Sequence, residues 1–146
     1  MIPIPDPRRL PIRRPGQEPK PKKVRVVRKH DEDDLQAQIV ELFTLYRAND
    51  ALCFAVPNGG RRDWNTAKTL KRTGLKAGTP DLVFMNVMGF AYFMEVKTSK
   101  GSLSKAQREF RDWCKTHNIP WVLVRTVAEA EAFLLHHKLI RAPSAA

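Results

Sequence analysis

Hydrophobic residues recur at helical spacing near residue 40 of this chain. The apolar positions follow i, i+4, i+7, i+8 and i+11 and are occupied by Leu35, Ile39, Leu42, Phe43 and Tyr46. This spacing is typical of an amphipathic α-helix with one apolar face. Acidic residues 31–34 come directly before it, where carboxylates stabilise the positive end of the helix dipole. We therefore predict a first helix beginning near residue 30.

Shorter apolar segments predict four strands, which are Leu52–Val56, Leu82–Met88, Phe90–Val96 and Trp121–Val124. A short helix is expected around Asn65–Arg72, ending at Gly74. The few residues between the second and third strands predict an antiparallel hairpin. A helix joins the third strand to the fourth, so these two should be parallel. The fold class is therefore α/β: a small mixed β-sheet flanked by helices.

Two further helices have recognisable starting residues. Ser104 caps one of them, which carries Ala106, Phe110, Trp113 and Cys114 on one side. Thr126 and Glu129 form the pattern of a capping box, in which each side chain bonds the other residue's backbone N–H. That pattern opens the last helix, whose inward residues are expected to be Val127, Ala130, Phe133 and Leu134.

The first 29 residues differ in composition from the rest. They hold seven of the 11 prolines and ten Lys/Arg residues against two acidic ones. Proline at this density blocks helices and sheet ladders, and few apolar groups remain to offset the entropy of ordering. We predict a tail over residues 1–29, disordered or extended to about residue 24, then a domain over residues 30–140 and a short C-terminal tail, 141–146. The basic tail is interpreted as a DNA-binding arm, or else as a solubilising tail or a strand lying on the domain.

Charge and length restrict the function classes. The 146-residue chain has a net charge of +11 and a pI near 10.1, which favours a polyanionic partner such as nucleic acid. No run of about 18 apolar residues and no signal-peptide core is present, so we expect a soluble, intracellular protein with no membrane association. Cys53 and Cys114 are too far apart to indicate a zinc site or disulfide framework, and we interpret them as buried, reduced thiols.

The chemistry-bearing residues lie on the second and third predicted strands. Asp81 begins one strand, and Glu95 and Lys97 share a face of its neighbour because strand side chains alternate. Two carboxylates and a backbone carbonyl, for which we expect Val96, suit Mg²⁺ or Mn²⁺. Lys97 would orient or deprotonate a water, or neutralise charge on a phosphate. The alternative is a surface ion pair of little energetic consequence.

These residues resemble the signature of the PD-(D/E)XK nuclease superfamily, and four sequence blocks are similar to the VRR-NUC family in order and spacing. The blocks are Pro57-Asn58-Gly59-Gly60-Arg61-Arg62, Lys76-Ala77-Gly78-Thr79-Pro80-Asp81, Glu95-Val96-Lys97-Thr98-Ser99-Lys100-Gly101 and Leu103-Ser104-Lys105-Ala106-Gln107. The resemblance covers roughly residues 30–135. It implies a restriction-endonuclease-like core and DNA cleavage with Mg²⁺ or Mn²⁺. It also implies similarity to small phage or bacterial Holliday-junction resolvases, which act as homodimers.

The resemblance assigns roles to individual residues. Asp81 and Glu95 would bind the metal, Lys97 would be the catalytic lysine, and Gln107 would support the site, although Ser104 and Gln107 also fit a capping box.

For the acidic residue of the first helix, Glu32 fits best, with Asp34 and Glu41 as alternatives, although acidic residues at a helix start usually serve the dipole. The chain departs from the family pattern at residues 124–126, where a second arginine is missing, so the partner of Arg125 stays open.

A basic segment beside the metal residues is expected to hold DNA. The predicted nucleic-acid-binding residues are Asn58, Arg61, Arg62, Lys68, Lys71, Arg72, Lys76 and Lys100. Trp64 lies among them, a mixture typical of contacts with phosphate and base or sugar. The alternative is a solvated basic loop with Trp64 buried in the core. Gly59, Gly60 and Gly78 would permit close approach to phosphates, or serve as ordinary turn glycines.

The leading hypothesis is a metal-dependent DNA endonuclease that prefers branched DNA, acting as a homodimer in the cytoplasm of a bacterium or phage-infected cell. We find no helix-turn-helix for reading base edges. The alternatives are a nicking, flap or restriction-like nuclease on duplex DNA, and a non-catalytic nucleic-acid-binding module.

Overall fold

The computed structural model describes residues 31–48, 50–57 and 64–142. Four helices and four strands follow one another in these segments. In chain order they are α1 (Asp31–Tyr46), β1 (Leu52–Ala55), α2 (Trp64–Arg72), β2 (Leu82–Met85), β3 (Ala91–Val96), α3 (Lys105–Thr116), β4 (Trp121–Val124) and α4 (Val127–His136). Every helix and strand predicted from the sequence is present. The predictions for residues 1–30, including the tail, lie outside the described residues.

The four strands form one mixed sheet in the order β1-β2-β3-β4. β1 and β2 are antiparallel, as are β2 and β3, whereas β3 and β4 are parallel, as predicted. Leu82 pairs with Met94 across the β2–β3 hairpin. The residue before Leu82 is therefore opposite the residue after Met94, which brings Asp81 level with Glu95.

Helices α1 and α4 pack together on one face of the sheet and enclose the hydrophobic core. Side chains of alternating strand positions, such as Phe84, Met94 and Val124, meet Ile39 of α1 and Leu134 of α4 there. The other face is approached by α3, where Phe110 makes an edge-on ring contact with Phe93 at 5.2 Å between centroids. Glu95 belongs to the α3 side by the alternation of β3.

The turn between β2 and β3 is longer than the sequence predicts, because β2 ends at Met85 and β3 begins at Ala91. Asn86 ends β2 because its side-chain oxygen accepts the N–H groups of Met88 at 3.0 Å and Phe90 at 3.1 Å, while its amide donates to the Tyr92 hydroxyl. Gly89, with φ +82°, completes the turn. Val87, Met88 and Phe90 are consequently exposed. Hydrophobicity alone extended both predicted strands into this turn, which was wrong.

Helix α3 begins as predicted. Ser104 and Gln107 form a reciprocal capping box. Cys114 is fully buried, whereas Trp113 is 47 % exposed. Trp113 lies beside Phe110 and His117, with 4.6 Å between the Trp113 and His117 ring centroids. Cys53 is only half-buried, and burial raises the pKa values of both thiols, that of Cys53 to about 12.

The capping box predicted for α4 forms only in part. The Thr126 hydroxyl accepts the Glu129 N–H at 3.2 Å, as expected. The Glu129 carboxylate, however, accepts the backbone N–H of Arg125 at 2.6 Å instead of that of Thr126. The first turn of α4 is thereby tied to the end of β4 rather than closed on itself.

The connection from α2 to β2 turns at two glycines with different environments. Gly74, with φ +104°, ends α2 as predicted, and a side chain there would meet open space. Gly78, with φ +83°, lies against the backbone of α3, and a Cβ atom at this position would be 2.2 Å from the carbonyl oxygen of Ala106. The role of Gly78 is therefore to let this loop contact the first turn of α3.

Within the residues that the structure describes, no helix combines the length and hydropathy needed to cross a bilayer.

Candidate active site

Glu95 is a fully buried carboxylate in the middle of the sheet. Its Oε1 atom lies 2.8 Å from the Lys97 ammonium and also accepts a hydrogen bond from the Gln107 amide nitrogen. Its other oxygen, Oε2, is buried and receives no hydrogen bond among the described residues. A buried carboxylate oxygen without a donor is costly, so the surroundings of Oε2 suit a cationic ligand.

Asp81 is held beside Glu95 by backbone contacts on both sides. Its Oδ2 atom accepts the N–H of Val96 at 2.9 Å, and its backbone carbonyl accepts the N–H of Val56 at 2.9 Å. Asp81 and Val96 line a cavity of about 270 Å³ together with Glu32 and Pro57. Of the predicted metal residues, Asp81 and Val96 thus line this cavity, while Glu95 is opposite Asp81 in the hairpin register and is fully buried.

The two carboxylates oppose each other electrostatically. Burial is the main cause that raises the pKa of Glu95 from 4.5 to about 7, and the Asp81 charge raises it further against the lowering effect of Lys97. Burial alone would lower the pKa of Lys97, but the hydrogen bond from Lys97 to Glu95, together with the charges of Glu95, Asp81 and Glu32, raises it on balance. Lys97 is therefore a cation at neutral pH, and Glu95 titrates there.

The donor set fits a hard divalent cation. Such an ion prefers oxygen ligands and keeps several waters. Asp81 and Glu95 offer carboxylate oxygens, and the unbonded Oε2 atom of Glu95 is an oxygen that a cation would satisfy. In the part of the chain that the structure describes, no group of three His, Cys, Asp or Glu side chains gathers at one point. A site here would thus be completed by backbone and water oxygens.

Of the three acidic candidates on α1, Glu32 is the one that the structure brings to the site. Its Oε2 atom lies 3.7 Å from the Lys97 ammonium, and its Oε1 atom accepts the N–H of Thr98 at 3.2 Å. Asp34 is exposed on the first turn of α1, and Glu41 lines a separate cavity on that helix. The contacts therefore favour Glu32 for the role that the sequence left open.

Gln107 has both of the roles that the sequence left open, the capping of α3 and the support of the carboxylate site. Its amide oxygen accepts the backbone N–H of Ser104 at 2.8 Å, which caps α3, while its amide nitrogen donates to Glu95. Only a side chain with one donor and one acceptor can do both. The capping residue of α3 is consequently also a direct partner of the buried carboxylate.

Comparison with known proteins decides the family. The sequence profile of the VRR-NUC domain matches residues 19–128, which is well over half of the chain. The chain belongs to the VRR-NUC family. The family is part of the PD-(D/E)XK nuclease superfamily, so this is a nuclease domain. The match begins within the predicted tail, and the boundary of that tail stays a prediction.

Two solved structures share the VRR-NUC fold. One, described as a VRR_NUC domain protein, has a TM-score of 0.60 at 18% identity and covers 77% of this chain and 93% of its own. The other, described as a VRR_NUC domain, has a TM-score of 0.50 at 18% identity and covers 73% of this chain and 96% of its own. No curated protein sequence matches the chain.

The predicted DNA-binding residues of this VRR-NUC domain are only partly within the described residues. Asn58, Arg61 and Arg62 lie outside them. The side chains that are described are all exposed, namely Lys68, Lys71, Arg72, Lys76 and Lys100. Lys71 and Lys76 line a cavity of about 410 Å³ that also contains Gln107. Part of the basic segment thus lies around the same cavity as Gln107, the amide partner of Glu95.

Arg125 is a site residue whose role the sequence did not reveal. Its guanidinium donates to the carbonyl oxygens of Thr98 and Gly101, the latter at 2.8 Å, on the loop that follows Lys97. Bonds to backbone carbonyls leave no pattern in a single sequence. The one available signal was the strand alternation that puts residue 125 on the same side of β4 as Leu123, away from the core. At the next position, Thr126 is the N-cap of α4.

Proposed function

We propose that this protein is a metal-dependent DNA endonuclease that hydrolyses phosphodiester bonds. The observation that carries the proposal is the buried Glu95 carboxylate, which has Lys97 and Gln107 at one oxygen and no hydrogen-bond donor at the other among the described residues. That oxygen needs a partner, which either a proton shared with the neighbouring Asp81 carboxylate or a metal cation would supply. Metal binding would give that oxygen a partner.

Asp81, Glu95 and the Val96 carbonyl would hold Mg²⁺ or Mn²⁺. Such an ion supplies charge neutralisation and water activation at a scissile phosphate. Lys97 stays cationic and is held at Glu95, so it would orient the attacking water or neutralise phosphate charge. Glu32 accepts from Thr98 and faces the Lys97 ammonium, so it would help to position that lysine. Gln107 would keep Glu95 aligned.

The substrate that we propose is branched DNA, cut by a homodimer. The support is the element order of the described residues, in which no helix directly follows another, so they contain no helix-turn-helix for reading base edges. Two symmetric copies would present two sites to a four-way junction. The cytoplasm of a bacterium or a phage-infected cell would be the place of action.

DNA would be held by the predicted basic residues. Lys71 and Lys76 line the cavity that leads to Gln107, and both are exposed. The basic tail would neutralise further phosphates. Deleting residues 1–24 should then flatten the dependence of log K on log salt, by about 0.9 for each phosphate of B-DNA that the tail neutralises in the full chain. An unchanged slope would show that the tail does not touch DNA.

The cleavage experiment compares labelled four-way junction, flap and plain duplex in Mg²⁺ and in Mn²⁺. We expect fastest cutting of the junction, loss of cutting in Asp81→Asn, and slowed cutting in Lys97→Ala that single-turnover conditions still resolve. Asp112→Asn is a matched control, because this exposed aspartate pairs with Arg111 on α3. Equal cutting of all three substrates would remove the junction preference, and unchanged cutting by Asp81→Asn would remove the assigned site.

The two alternative functions that the sequence left open separate in this experiment. A nicking, flap or restriction-like nuclease would prefer flap or duplex over the junction. A non-catalytic binding module would bind DNA but cut none of the substrates in either metal. The unbonded Glu95 oxygen favours the catalytic functions over the binding module.

A further inference from the structure

An arginine side chain holds the turn that follows β3. The Gly101 N–H donates to the Thr98 carbonyl at 3.1 Å, which makes residues 98–101 a tight turn directly after Lys97. The guanidinium of Arg125 donates to the carbonyl oxygens of Thr98 and Gly101, at the two ends of that turn. A planar guanidinium presents several donors in a fixed arrangement and can span two acceptors.

This turn is in contact with both Lys97 and Glu32. The Thr98 N–H donates to Glu32. A Cβ atom at Gly101 would be 3.1 Å from Cδ of Lys97 and 3.1 Å from Oε1 of Glu32, so the glycine backbone lies directly against both side chains. A lysine side chain has large rotamer freedom. The turn therefore forms a wall that confines the stem of Lys97.

Arg125 itself extends from a rigid position. The Lys97 N–H donates to the carbonyl of Val124 at 3.0 Å, which continues the parallel ladder between β3 and β4 up to this point. The Arg125 N–H donates to Glu129 on the first turn of α4. The backbone of Arg125 is thus fixed by β4 and α4 while its side chain holds the turn.

We propose that Arg125 is a positioning residue that keeps the Lys97 ammonium at Glu95 by clamping the 98–101 turn. The consequence for cleavage rests on the proposed function, whereas the consequence for the position of Lys97 does not. Arg125→Lys keeps the charge but replaces the forked guanidinium by a single ammonium, which can hold only one of the two carbonyls. This variant should therefore confine Lys97 less than Arg125 does and more than Arg125→Met does.

Chemical labelling of lysines tests the position of Lys97 without any substrate. In the native protein the Lys97 side chain is 13% exposed and that of Lys105 is 86% exposed, so a limiting amine reagent read by mass spectrometry should modify Lys105 first. In Arg125→Met, Lys97 labelling should rise several-fold while Lys105 labelling stays constant. Arg108→Met is the matched control, because Arg108 also donates to a backbone carbonyl, that of Leu103 at 2.6 Å. Lys97 should stay protected in that control.

Single-turnover cleavage tests the consequence for catalysis. Arg125→Met should reduce the cleavage rate by about 10- to 100-fold, as loss of a residue that orients a catalytic group usually does, with the DNA Kd within about twofold of the native value. In a Lys97→Ala background the same substitution should cost nothing further, because non-additivity is expected of residues that act as a unit.

The outcomes are distinct. A folded Arg125→Met protein with Lys97 still protected overturns the inference, and so does an equal rate loss in the Lys97→Ala background. If Arg125→Met does not fold, the same two measurements are made on Arg125→Lys. Labelling of Lys97 above the native level in Arg125→Lys then supports the clamp, and labelling at the native level contradicts it. Absence of cleavage by the native protein would contradict the proposed function and leave the labelling result to judge Arg125.

Discussion

Binding of Mn²⁺ to the metal-free protein should weaken steeply as the pH falls below 7. The perturbation is the protonation of Glu95, whose buried carboxyl has a pKa of about 7. A proton and a divalent cation compete for this carboxylate, since a metal ligand must be deprotonated. An exposed glutamate, with a pKa near 4.5, would show no such dependence between pH 6 and 8.

The size of the effect follows from that pKa. At pH 6 about one-eleventh of the Glu95 carboxyls are ionised, and at pH 8 about ten-elevenths are. The apparent Kd for Mn²⁺ should therefore be about tenfold larger at pH 6 than at pH 8, with most of the change between pH 6 and 7. Each further pH unit below 6 adds close to 1.4 kcal/mol, or tenfold.

Isothermal titration of Mn²⁺ into the metal-free protein across this pH range measures the change directly. Proton release per metal bound gives a second measure, because one proton should leave Glu95 at low pH and almost none at pH 8. Glu95→Gln should lose both the binding and the proton release. Asp112→Asn, which removes an exposed carboxylate on α3, is the control and should titrate like the native protein.

A constant Kd between pH 6 and 7, with binding still lost in Glu95→Gln, would refute this reasoning. Glu95 would then be ionised throughout the range, and its burial would be compensated by Lys97 and Gln107 more fully than the raised pKa indicates. Binding that persists in Glu95→Gln would instead remove Glu95 from the metal site.

Three substitutions at or near the site separate stability from activity. A carboxyl with a raised pKa stabilises the fold fully below its ordinary pKa of 4.5, and this contribution is lost as the pH rises through 7. Glu95→Gln should therefore raise the free energy of unfolding at pH 8 without metal by about 1–3 kcal/mol, while abolishing cleavage. A variant that is less stable than the native protein in chemical denaturation would contradict this. Gln107→Glu keeps the acceptor for the α3 cap but places a second carboxylate at Glu95, so the pH midpoint of Mn²⁺ binding should rise, and an unchanged midpoint would exclude that contact. Gly78→Ala puts a methyl group 2.2 Å from the backbone oxygen of Ala106. It should lower the free energy of unfolding by about 1–3 kcal/mol more than Gly74→Ala, where φ is also positive but the added methyl group meets open space. Equal decreases in the free energy of unfolding, measured by chemical denaturation, would contradict the close approach.

The fold was predictable because its helices and strands have regular patterns. The 3.6-residue period found α1, and continuous apolar segments found β2, β3 and β4. The short link after β2 and the helix before β4 gave the antiparallel and parallel pairings. The error arose where hydrophobicity does not determine position, because Asn86 ends β2 with its own side chain.

The site was predictable in part. Alternation along β3 put Glu95 and Lys97 on one face, and the hairpin put Asp81 level with them. The burial of Glu95 and the fork of Arg125 were not predictable, because both depend on how α3 and β4 close around the strand. Gln107 was identified with two competing roles, and only the distances show that one amide fills both.

The number of residues in the Asn86 turn, residues 86–90, affects the geometry of the carboxylates. Asp81 and Glu95 lie at the opposite end of the hairpin from residues 86–90, and they face each other only because Leu82 is in register with Met94. A single-residue insertion in that turn, carried along the strands as a slip, would reverse the face of every β2 side chain relative to β3. The length of this turn, at the far end of the hairpin from Asp81 and Glu95, is thus under the same constraint as the two carboxylates. Natural or engineered insertions should be tolerated in this turn only where a bulge absorbs them.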